Sequence, residues 1–120
     1  MRPLPITEKD GVLVIKLEDG ESLNEGQAVA LRQALYTALE AASQPRVAID
    51  LSEVDYVTST GIALLIGTKR RVEAKQGRLV LHGLRPGIHE LFSMMKLVNL
   101  FEIADDEAGA MGLLSSPLPN

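Results

Sequence analysis

Runs of aliphatic and β-branched residues of strand length recur along the chain and predict a β-sheet. Three of them are apolar enough to be buried on both faces of a sheet, which is typical of parallel strands lying between layers of helices. They occupy residues 12–17, 47–51 and 78–82. Shorter segments of the same character lie at 6–8 and 101–103. The pattern therefore predicts a sheet of about five strands.

Apolar residues at helical spacing fill the interval between the first two long strands. The residues at this spacing are Ala28, Leu31, Leu35, Leu39 and Ala42. Asn24 is a favoured capping residue, and Gln27, three positions on, is placed to complete a capping box. Pro45 disfavours helical backbone at Gln44, so we expect the helix to end there.

A second helix is expected to begin at Ser59 and to run to about Lys75. Its first half, residues 62–66, is apolar in every direction around the helix axis, so one sheet cannot bury all of it. Leu64 lies about 200° around the helix from Ile62 and is expected to face outward. There it would either be covered by a neighbouring helix or form part of a docking surface.

Boundary residues mark the end of the second helix and two further helices. Gly77 is placed to terminate the second helix. Pro86 stands at the favoured first position of a third helix. The acidic residues at 105–107 suit the first turn of a fourth helix, where the helix dipole favours them. The residues expected to be buried by the third helix are Ile88, Leu91, Phe92 and Met95.

The predicted elements follow the order strand, strand, helix, and then strand and helix three times. This alternation predicts an α/β fold with a mainly parallel, mixed sheet, about four helices and right-handed crossovers. An antiparallel hairpin with Asp10-Gly11 as its turn is expected at the start. A chain of 120 residues has room for one domain, which we place at 1–114, and residues 115–120 are expected to form a flexible tail.

Composition and charge exclude several functional classes. Cysteine is absent, which excludes disulfides, thiol catalysis and thiolate metal sites. The formal net charge is −4 and aromatic residues make up 3%, so we expect no direct binding of nucleic acid. No apolar stretch approaches the roughly 20 residues of a spanning helix, and the N-terminus lacks the pattern of a secretory signal. We therefore expect a cytoplasmic protein without membrane insertion.

The stretch from Asp50 to Gly61 carries the clearest chemical signal. It begins at the carboxyl end of a long strand, where ligands and switches collect in open α/β sheets. Three consecutive hydroxyl residues, Thr58, Ser59 and Thr60, precede the glycine at the start of the second helix. Either Thr58 or Ser59 could cap that helix, but one cap does not require three hydroxyl groups.

No catalytic or metal-binding pattern accompanies these hydroxyl groups. A serine hydrolase needs a glycine-flanked nucleophile and a partnered histidine, and the chain has only His82 and His89, neither with a placed acid. Two histidines at this spacing do not predict a metal site, and residues 61–69 lack the spacing of a phosphate-binding loop. An aspartyl-phosphate receiver with Asp50 as acceptor fits less well, because the required acidic pair does not precede the first long strand. We expect no enzyme, cofactor or metal.

The Asp50–Gly61 stretch resembles the STAS domain family, whose bacterial members include anti-sigma factor antagonists. The family's hallmark is Asp-Leu-Ser at the end of a strand, a hydrophobic pair, and Asp-Ser-Ser/Thr-Gly opening a helix. The corresponding residues here are Asp50-Leu51-Ser52, Tyr56-Val57 and Thr58-Ser59-Thr60-Gly61. The likeness extends in one register from about residue 6 to residue 113, and it places Leu23-Asn24 where the family usually has Leu-Asp. A single STAS-type domain is the implied fold.

The resemblance implies a regulatory binding protein in a partner-switching pathway. In the family, the serine after the motif acid is phosphorylated by a serine-kinase anti-sigma factor of the histidine-kinase-like ATPase fold, and Ser59 occupies that position. The unphosphorylated antagonist binds the kinase and frees the sigma factor, phosphorylation breaks the complex, and a serine phosphatase restores it. With the outward-facing leucine included, the expected partner-binding residues are Asn24, Thr58, Ser59, Thr60, Gly61 and Leu64.

One residue departs from the family motif, since Thr58 occupies the position of the family acid. This difference could alter kinase recognition or move the acceptor to Thr60 or to Thr58 itself. Asn24 in place of the usual Asp is a milder change, because both residues cap helices. The alternative function is that of a STAS subunit that is not phosphorylated and acts as a scaffold or as the cytoplasmic component of a lipid or anion transporter.

Overall fold

The computed structural model describes residues 6–17, 25–55 and 57–115, with the side chains of the first helix described from residue 32 onward. The strands in these ranges are β1 (Ile6–Lys9), β2 (Val12–Lys16), β3 (Arg46–Asp50), β4 (Arg78–His82) and β5 (Glu102–Ala104). The helices are α1 (Glu25–Ala41), α2 (Ser59–Ala74), α3 (Pro86–Met94) and α4 (Glu107–Ser115), with a 3₁₀ turn at Leu97–Asn99. None of these helices is long and apolar enough to span a membrane. The predicted cap at Asn24 and the residues after Ser115 lie outside the described ranges.

The five strands form one sheet in the order β1-β2-β3-β4-β5. β1 pairs with β2 in antiparallel orientation, and every other pair is parallel. Asp10 (φ 53°) and Gly11 (φ 81°) both have the left-handed backbone that a tight two-residue hairpin turn requires. The structure therefore confirms the predicted fold class, including the initial hairpin.

Both faces of the sheet are covered, as the apolar strands predicted. On one face the strand register aligns Ile15, Ile49 and Leu81 in a row, and all three share a buried cluster with residues of α1, α2 and α3. On the other face Ala48 and Val80 are fully buried in a smaller cluster with residues of α4. The sheet is thus the middle layer between three helices and one.

Helices α1 and α2 pack closely because a glycine faces an aromatic ring. A Cβ atom on Gly67 would stand 2.5 Å from the Tyr36 hydroxyl oxygen, so a larger residue would displace that ring. The Arg71 guanidinium lies 3.9 Å from the centre of the same ring. Lys75 Nζ donates to two carbonyl oxygens near the end of α1, at 2.6 and 2.9 Å. Basic residues at the C-terminal end of α2 therefore stabilise the contact with α1.

The end of α2 lies where the sequence predicts it, but Gly77 acts differently from the expectation. The helix ends at Ala74, and the left-handed residue that turns the chain is Gln76 (φ 60°). A Cβ atom on Gly77 would stand 2.0 Å from the Pro45 carbonyl oxygen. The position therefore requires glycine for close packing and not for a left-handed backbone.

Helix α3 begins at the predicted proline and buries Ile88 and Phe92 as expected, whereas Leu91 is half-buried. The predicted burial of Met95 is wrong, since this residue is 48% exposed. The helix ends one residue earlier, and the left-handed Lys96 (φ 61°) redirects the chain toward the 3₁₀ turn. Met95 therefore lies just outside the helix, where helical periodicity does not predict the direction of its side chain.

Helix α4 is capped by one of the predicted acidic residues and is bound to the sheet at its other end. The Gly109 N–H donates to Asp106 Oδ1 at 2.8 Å, so Asp106 is the helix cap. Arg46 and Arg78 donate to carbonyl oxygens in the last turn of α4. These contacts join α4 to the amino ends of β3 and β4.

Candidate functional site

The loop between β3 and α2 carries the predicted site, and two buried valines determine its course. Val54 and Val57 are 0% and 7% exposed. The Leu51 N–H donates to the His82 carbonyl oxygen at 2.9 Å, and the Val54 N–H donates to the Leu51 carbonyl oxygen at 3.0 Å. The loop is therefore attached to the carboxyl end of β4 before it reaches α2.

Asp50, the last residue of β3, shapes the turn that follows it. Its Oδ1 accepts a hydrogen bond from the Ser52 N–H at 2.8 Å, which is the geometry of an Asx turn. Gly83, just beyond β4, has a φ of 72°, and a Cβ atom there would stand 3.2 Å from both Asp50 Oδ1 and the Ser52 Cβ. This close approach gives Asp50 a structural role in the loop.

Thr58 is the N-cap of α2, which decides between the two caps that the sequence left open. It has extended backbone (φ −82°, ψ 168°), and its Oγ1 accepts a hydrogen bond from the Gly61 N–H at 3.1 Å. Its carbonyl oxygen accepts from the Ile62 N–H at 2.9 Å. Threonine thus satisfies an N–H group that has no partner within the helix.

Ser59 is the first residue of α2 and is exposed. Because Thr58 caps the helix, the Ser59 hydroxyl is not needed for capping, and within the described ranges it makes no hydrogen bond. The first turn of α2 contains no acidic side chain. Since free N–H groups and the helix dipole both favour an anion at a helix N-terminus, a phosphate on this hydroxyl would be well accommodated.

Leu64 is 4% exposed, so it is covered within the domain, which is one of the two alternatives that the sequence left open, and its expected place among the partner-binding residues is wrong. Helix α1 packs against α2, and Leu64 shares a buried cluster with residues of both α1 and the sheet. Thr68, one turn further, is also buried, and its hydroxyl donates to the Leu64 carbonyl oxygen at 2.8 Å. Leu64 therefore belongs to the core and not to a partner-binding surface.

The exposed strip of α2 contains other apolar residues, and we call this strip the α2 face. It comprises Ser59, Ile62, Ala63, Ile66 and Arg70, which lie on one side of the helix by their spacing. Ala63 and Arg70 are exposed, whereas Ile62 and Ile66 are half-buried. A partly apolar surface therefore begins at Ser59, and Leu64 is not part of it.

The remaining predicted site residues lie at the same helix start, with one outside the described ranges. Thr60 is half-buried and Gly61 is buried beneath the first turn of α2. The structure therefore brings together the four consecutive residues 58–61, while Asn24 is not described. Within the described ranges, no group of three or more His, Asp or Glu residues could hold a metal ion.

A contact that the sequence did not predict joins the site to the loop before α3. Arg85 Nε donates to the Ser52 carbonyl oxygen at 2.8 Å, and its Nη1 donates to Asp55 Oδ1 at 2.8 Å. Its Nη2 lies 4.0 Å from Glu53 Oε2. We call this set of contacts the Arg85 clamp. Nothing in the local sequence indicates it, because the partners lie 30 and 33 residues apart.

Comparison with known proteins assigns the family. A family model described as "Mlab, STAS domain" matches residues 6–102. This chain belongs to the STAS domain family. The resemblance inferred from the motif around Ser59 is thereby confirmed.

Similar proteins extend the STAS assignment over almost the whole chain. BtrV of Bordetella bronchiseptica, which carries the name of an anti-sigma factor antagonist, is 27% identical over 116 residues, covering 97% of each chain. An anti-sigma-factor antagonist (STAS) domain protein from Planctomyces limnophilus has a TM-score of 0.80 at 20% identity, covering 92% of this chain and 97% of that chain. The phosphorylated form of SpoIIAA, the Bacillus cell fate determinant, has a TM-score of 0.70 at 21% identity, covering 90% of this chain and 96% of that chain. These two structures show the STAS fold.

Proposed function

We propose that this STAS domain is an anti-sigma factor antagonist that binds a serine-kinase anti-sigma factor and is released by phosphorylation of Ser59. The proposal rests on the different roles of two neighbouring hydroxyl groups at the start of α2. Thr58 caps the helix, and the adjacent Ser59 hydroxyl is exposed. The name of the full-length relative BtrV supports an antagonist of this kind.

Phosphorylation at Ser59 would change the docking surface without unfolding the domain. A phosphate adds about −1.5 to −2 charges at pH 7, and a helix N-terminus tolerates such a charge. The α2 face, however, continues from Ser59 into Ala63 and the half-buried Ile62 and Ile66. A partner that covers these apolar groups would have to desolvate the adjacent dianion, which opposes close contact.

The partner classes follow from the family. We infer that the kinase has the histidine-kinase-like ATPase fold and that a serine phosphatase removes the phosphate and restores binding. The protein would then act through competition for a protein surface, with Ser59 as phosphoryl acceptor and none of its side chains acting as a catalyst. Its cellular setting in this proposal is the cytoplasm.

Thr58 in place of the family acid fits this proposal structurally. Threonine and aspartate both accept a hydrogen bond from an N–H group in the first turn, so the helix start is preserved. What changes is charge, because the first turn of α2 carries no carboxylate. We therefore infer that the kinase of this protein recognises Ser59 without an adjacent acid.

The first test is phosphosite mapping by mass spectrometry on protein purified from its own cells, with and without phosphatase treatment. We expect one removable phosphate on Ser59. In Ser59→Ala protein we expect that phosphate to be lost. The matched control is Ser93→Ala, since Ser93 is an exposed helical serine whose hydroxyl donates to the His89 carbonyl oxygen.

Two other results would change the proposal. A phosphate on Thr60 or Thr58 that persists in Ser59→Ala protein would reject Ser59 as the acceptor while keeping the partner-switching mechanism. A chain that stays unmodified across growth and stress conditions would reject the switch and favour the non-phosphorylated STAS subunit, acting as a scaffold or in a transporter.

A further inference from the structure

The Arg85 clamp supplies the only side-chain hydrogen bonds and ion pairs, within the described ranges, between residues 52–55 and the loop before α3. Its guanidinium reaches one backbone oxygen and two acidic side chains of the same loop. Arg85 is also the N-cap residue of α3, although its side chain makes no capping hydrogen bond. The Arg85 side chain therefore does not cap α3, and its hydrogen bonds go to the loop that leads to Ser59.

The geometry of the clamp restrains the backbone as well as a side chain. The Ser52 carbonyl accepts from Arg85, while the Ser52 N–H donates to Asp50 Oδ1, so both backbone polar groups of Ser52 are bonded. The Val54 N–H closes the same turn by donating to Leu51. From there the chain passes through the buried Val57 to the helix cap.

The clamp also offsets charge beside the proposed phosphorylation site. Glu53 and Asp55 contribute two negative charges to the short segment before Ser59, and Arg85 lies against both. A phosphate on Ser59 would add further negative charge to that region. The charged side chains of the loop between β3 and α2 are all acidic, so without the arginine their charge would have no basic partner there.

We propose that Arg85 is a positioning residue that fixes the loop between β3 and α2 and thereby presents Ser59 to its kinase. The presentation of Ser59 rests on the proposed function, whereas the fixing of the loop does not. Arg85 acts through residues 52–55 and has no chemical role in phosphoryl transfer. Loss of the clamp should weaken kinase binding and leave the phosphoryl-transfer step nearly unchanged.

The experiment compares Arg85→Gln with Arg85→Lys and a matched control, Arg78→Gln. Arg78 also donates to a carboxylate and to a carbonyl oxygen, but it lies at the opposite end of β4. The first measurement is amide hydrogen exchange of Ser52 and Val54 by NMR. Because the pairing is partly exposed, we expect exchange in Arg85→Gln to accelerate about threefold to tenfold relative to wild type. Arg78→Gln should leave both rates unchanged.

The second measurement is steady-state phosphorylation by the purified anti-sigma factor kinase. For Arg85→Gln we expect KM to rise about threefold to tenfold, with kcat within a factor of about two of the wild-type value. For Arg85→Lys we expect KM to lie between the values of wild type and Arg85→Gln, because lysine keeps the charge but not the forked geometry. Arg78→Gln should match wild type. Because a partly unfolded substrate would also raise the apparent KM, Arg78→Gln, which loses stability without contacting this loop, controls for that effect.

The outcomes separate this proposal from the proposed function. Unchanged exchange at Ser52 and Val54 in Arg85→Gln would overturn the clamp, whatever the kinase does. Faster exchange with unchanged KM would overturn the presentation of Ser59. If the kinase does not phosphorylate wild-type protein, the proposed function fails, and the exchange rates still decide whether Arg85 fixes the loop.

Discussion

At the scale of single residues, the start of α2 shows how neighbouring hydroxyl groups acquire different roles. The residue before the first helical turn has extended backbone, which directs its side chain back to the free N–H groups. Thr58 occupies that position and bonds the Gly61 N–H. Ser59 is already helical, so its side chain projects from the helix and stays accessible to a kinase.

Replacement of the cap should destabilise the domain without removing the acceptor. We expect Thr58→Ala to lower the free energy of unfolding by about 1 kcal/mol, because one N–H group at the helix start loses its partner. Urea denaturation followed by circular dichroism measures this change. Thr58→Asp is the control and should retain most of the stability, since aspartate caps equally well. Equal stability of Thr58→Ala and wild type would contradict the capping role.

At the scale of elements, α2 owes its burial pattern to two neighbours. The sheet covers one side of the helix, and α1 covers another through the contact of Gly67 with Tyr36. Leu64 and Leu65 are therefore both buried, although they point in directions about 100° apart. Between residues 59 and 70, every exposed residue of the helix lies on the α2 face, which is narrow because two sides of the helix are occupied.

Adjacent substitutions on α2 should separate stability from partner binding. Leu64→Ala is expected to lower the free energy of unfolding by about 2–5 kcal/mol, because it leaves a cavity in the core. Ala63→Asp should change stability by less than about 1 kcal/mol, since the residue is exposed, yet weaken kinase binding at least about tenfold by placing a charge on the α2 face.

Denaturant unfolding and isothermal titration with the kinase measure the two effects. Wild-type affinity in Ala63→Asp protein would show that the α2 face is not the docking surface. A mild effect of Leu64→Ala on stability would contradict its place in the core.

At the scale of the whole molecule, the two arginines at the amino ends of β3 and β4 connect the sheet to α4. Arg78 donates to both carboxylate oxygens of Glu102 on β5 and to the Leu113 carbonyl oxygen, at 2.7 to 2.9 Å. The hydrogen bond to Glu102 raises the pKa of the Arg78 guanidinium above its usual value. One side chain thus joins β4, the edge strand β5 and the last helix.

Removal of this connection should destabilise the domain by an amount that does not depend on pH near neutrality. We expect Arg78→Gln to lower the free energy of unfolding by about 1–2 kcal/mol, because a paired, charge-assisted set of hydrogen bonds is lost. A group whose pKa is raised on folding contributes fully below its unfolded pKa and loses that contribution only as pH rises through the folded pKa. The difference from wild type should therefore be the same at about pH 7 and about pH 9.

Urea denaturation at both pH values makes this measurement. Lys9→Gln serves as the control, because the Lys9–Glu107 pair is 3.4 Å long and exposed on both sides and should contribute little. The loss of unfolding free energy in Arg78→Gln could also become clearly smaller at the higher pH. That result would contradict the view that the lost hydrogen bonds come from a guanidinium that is charged at both pH values.

Particular residues show where prediction from the sequence succeeded and where it stopped. The sequence predicted three local features correctly, because each depends on backbone preferences of a few adjacent residues. These are the hairpin at Asp10-Gly11, the start of α2 at Ser59 and the start of α3 at Pro86. The burial of Met95 was predicted wrongly, since the helix ends one residue before it. The partner-binding role expected for Leu64 was also wrong, since periodicity gives the direction of a side chain but not what lies opposite it.

The sequence by itself determined the sheet of five strands, the helices between them and a hydroxyl-rich helix start in a STAS motif. These features rest on side-chain period, capping and turn chemistry, which act over a few residues. Only the tertiary structure decided that Leu64 is buried, that the α2 face is formed by its neighbours, and that Arg85 binds the loop before Ser59. Such contacts join residues far apart in the chain, so their partners exist only once the helices and loops have packed together.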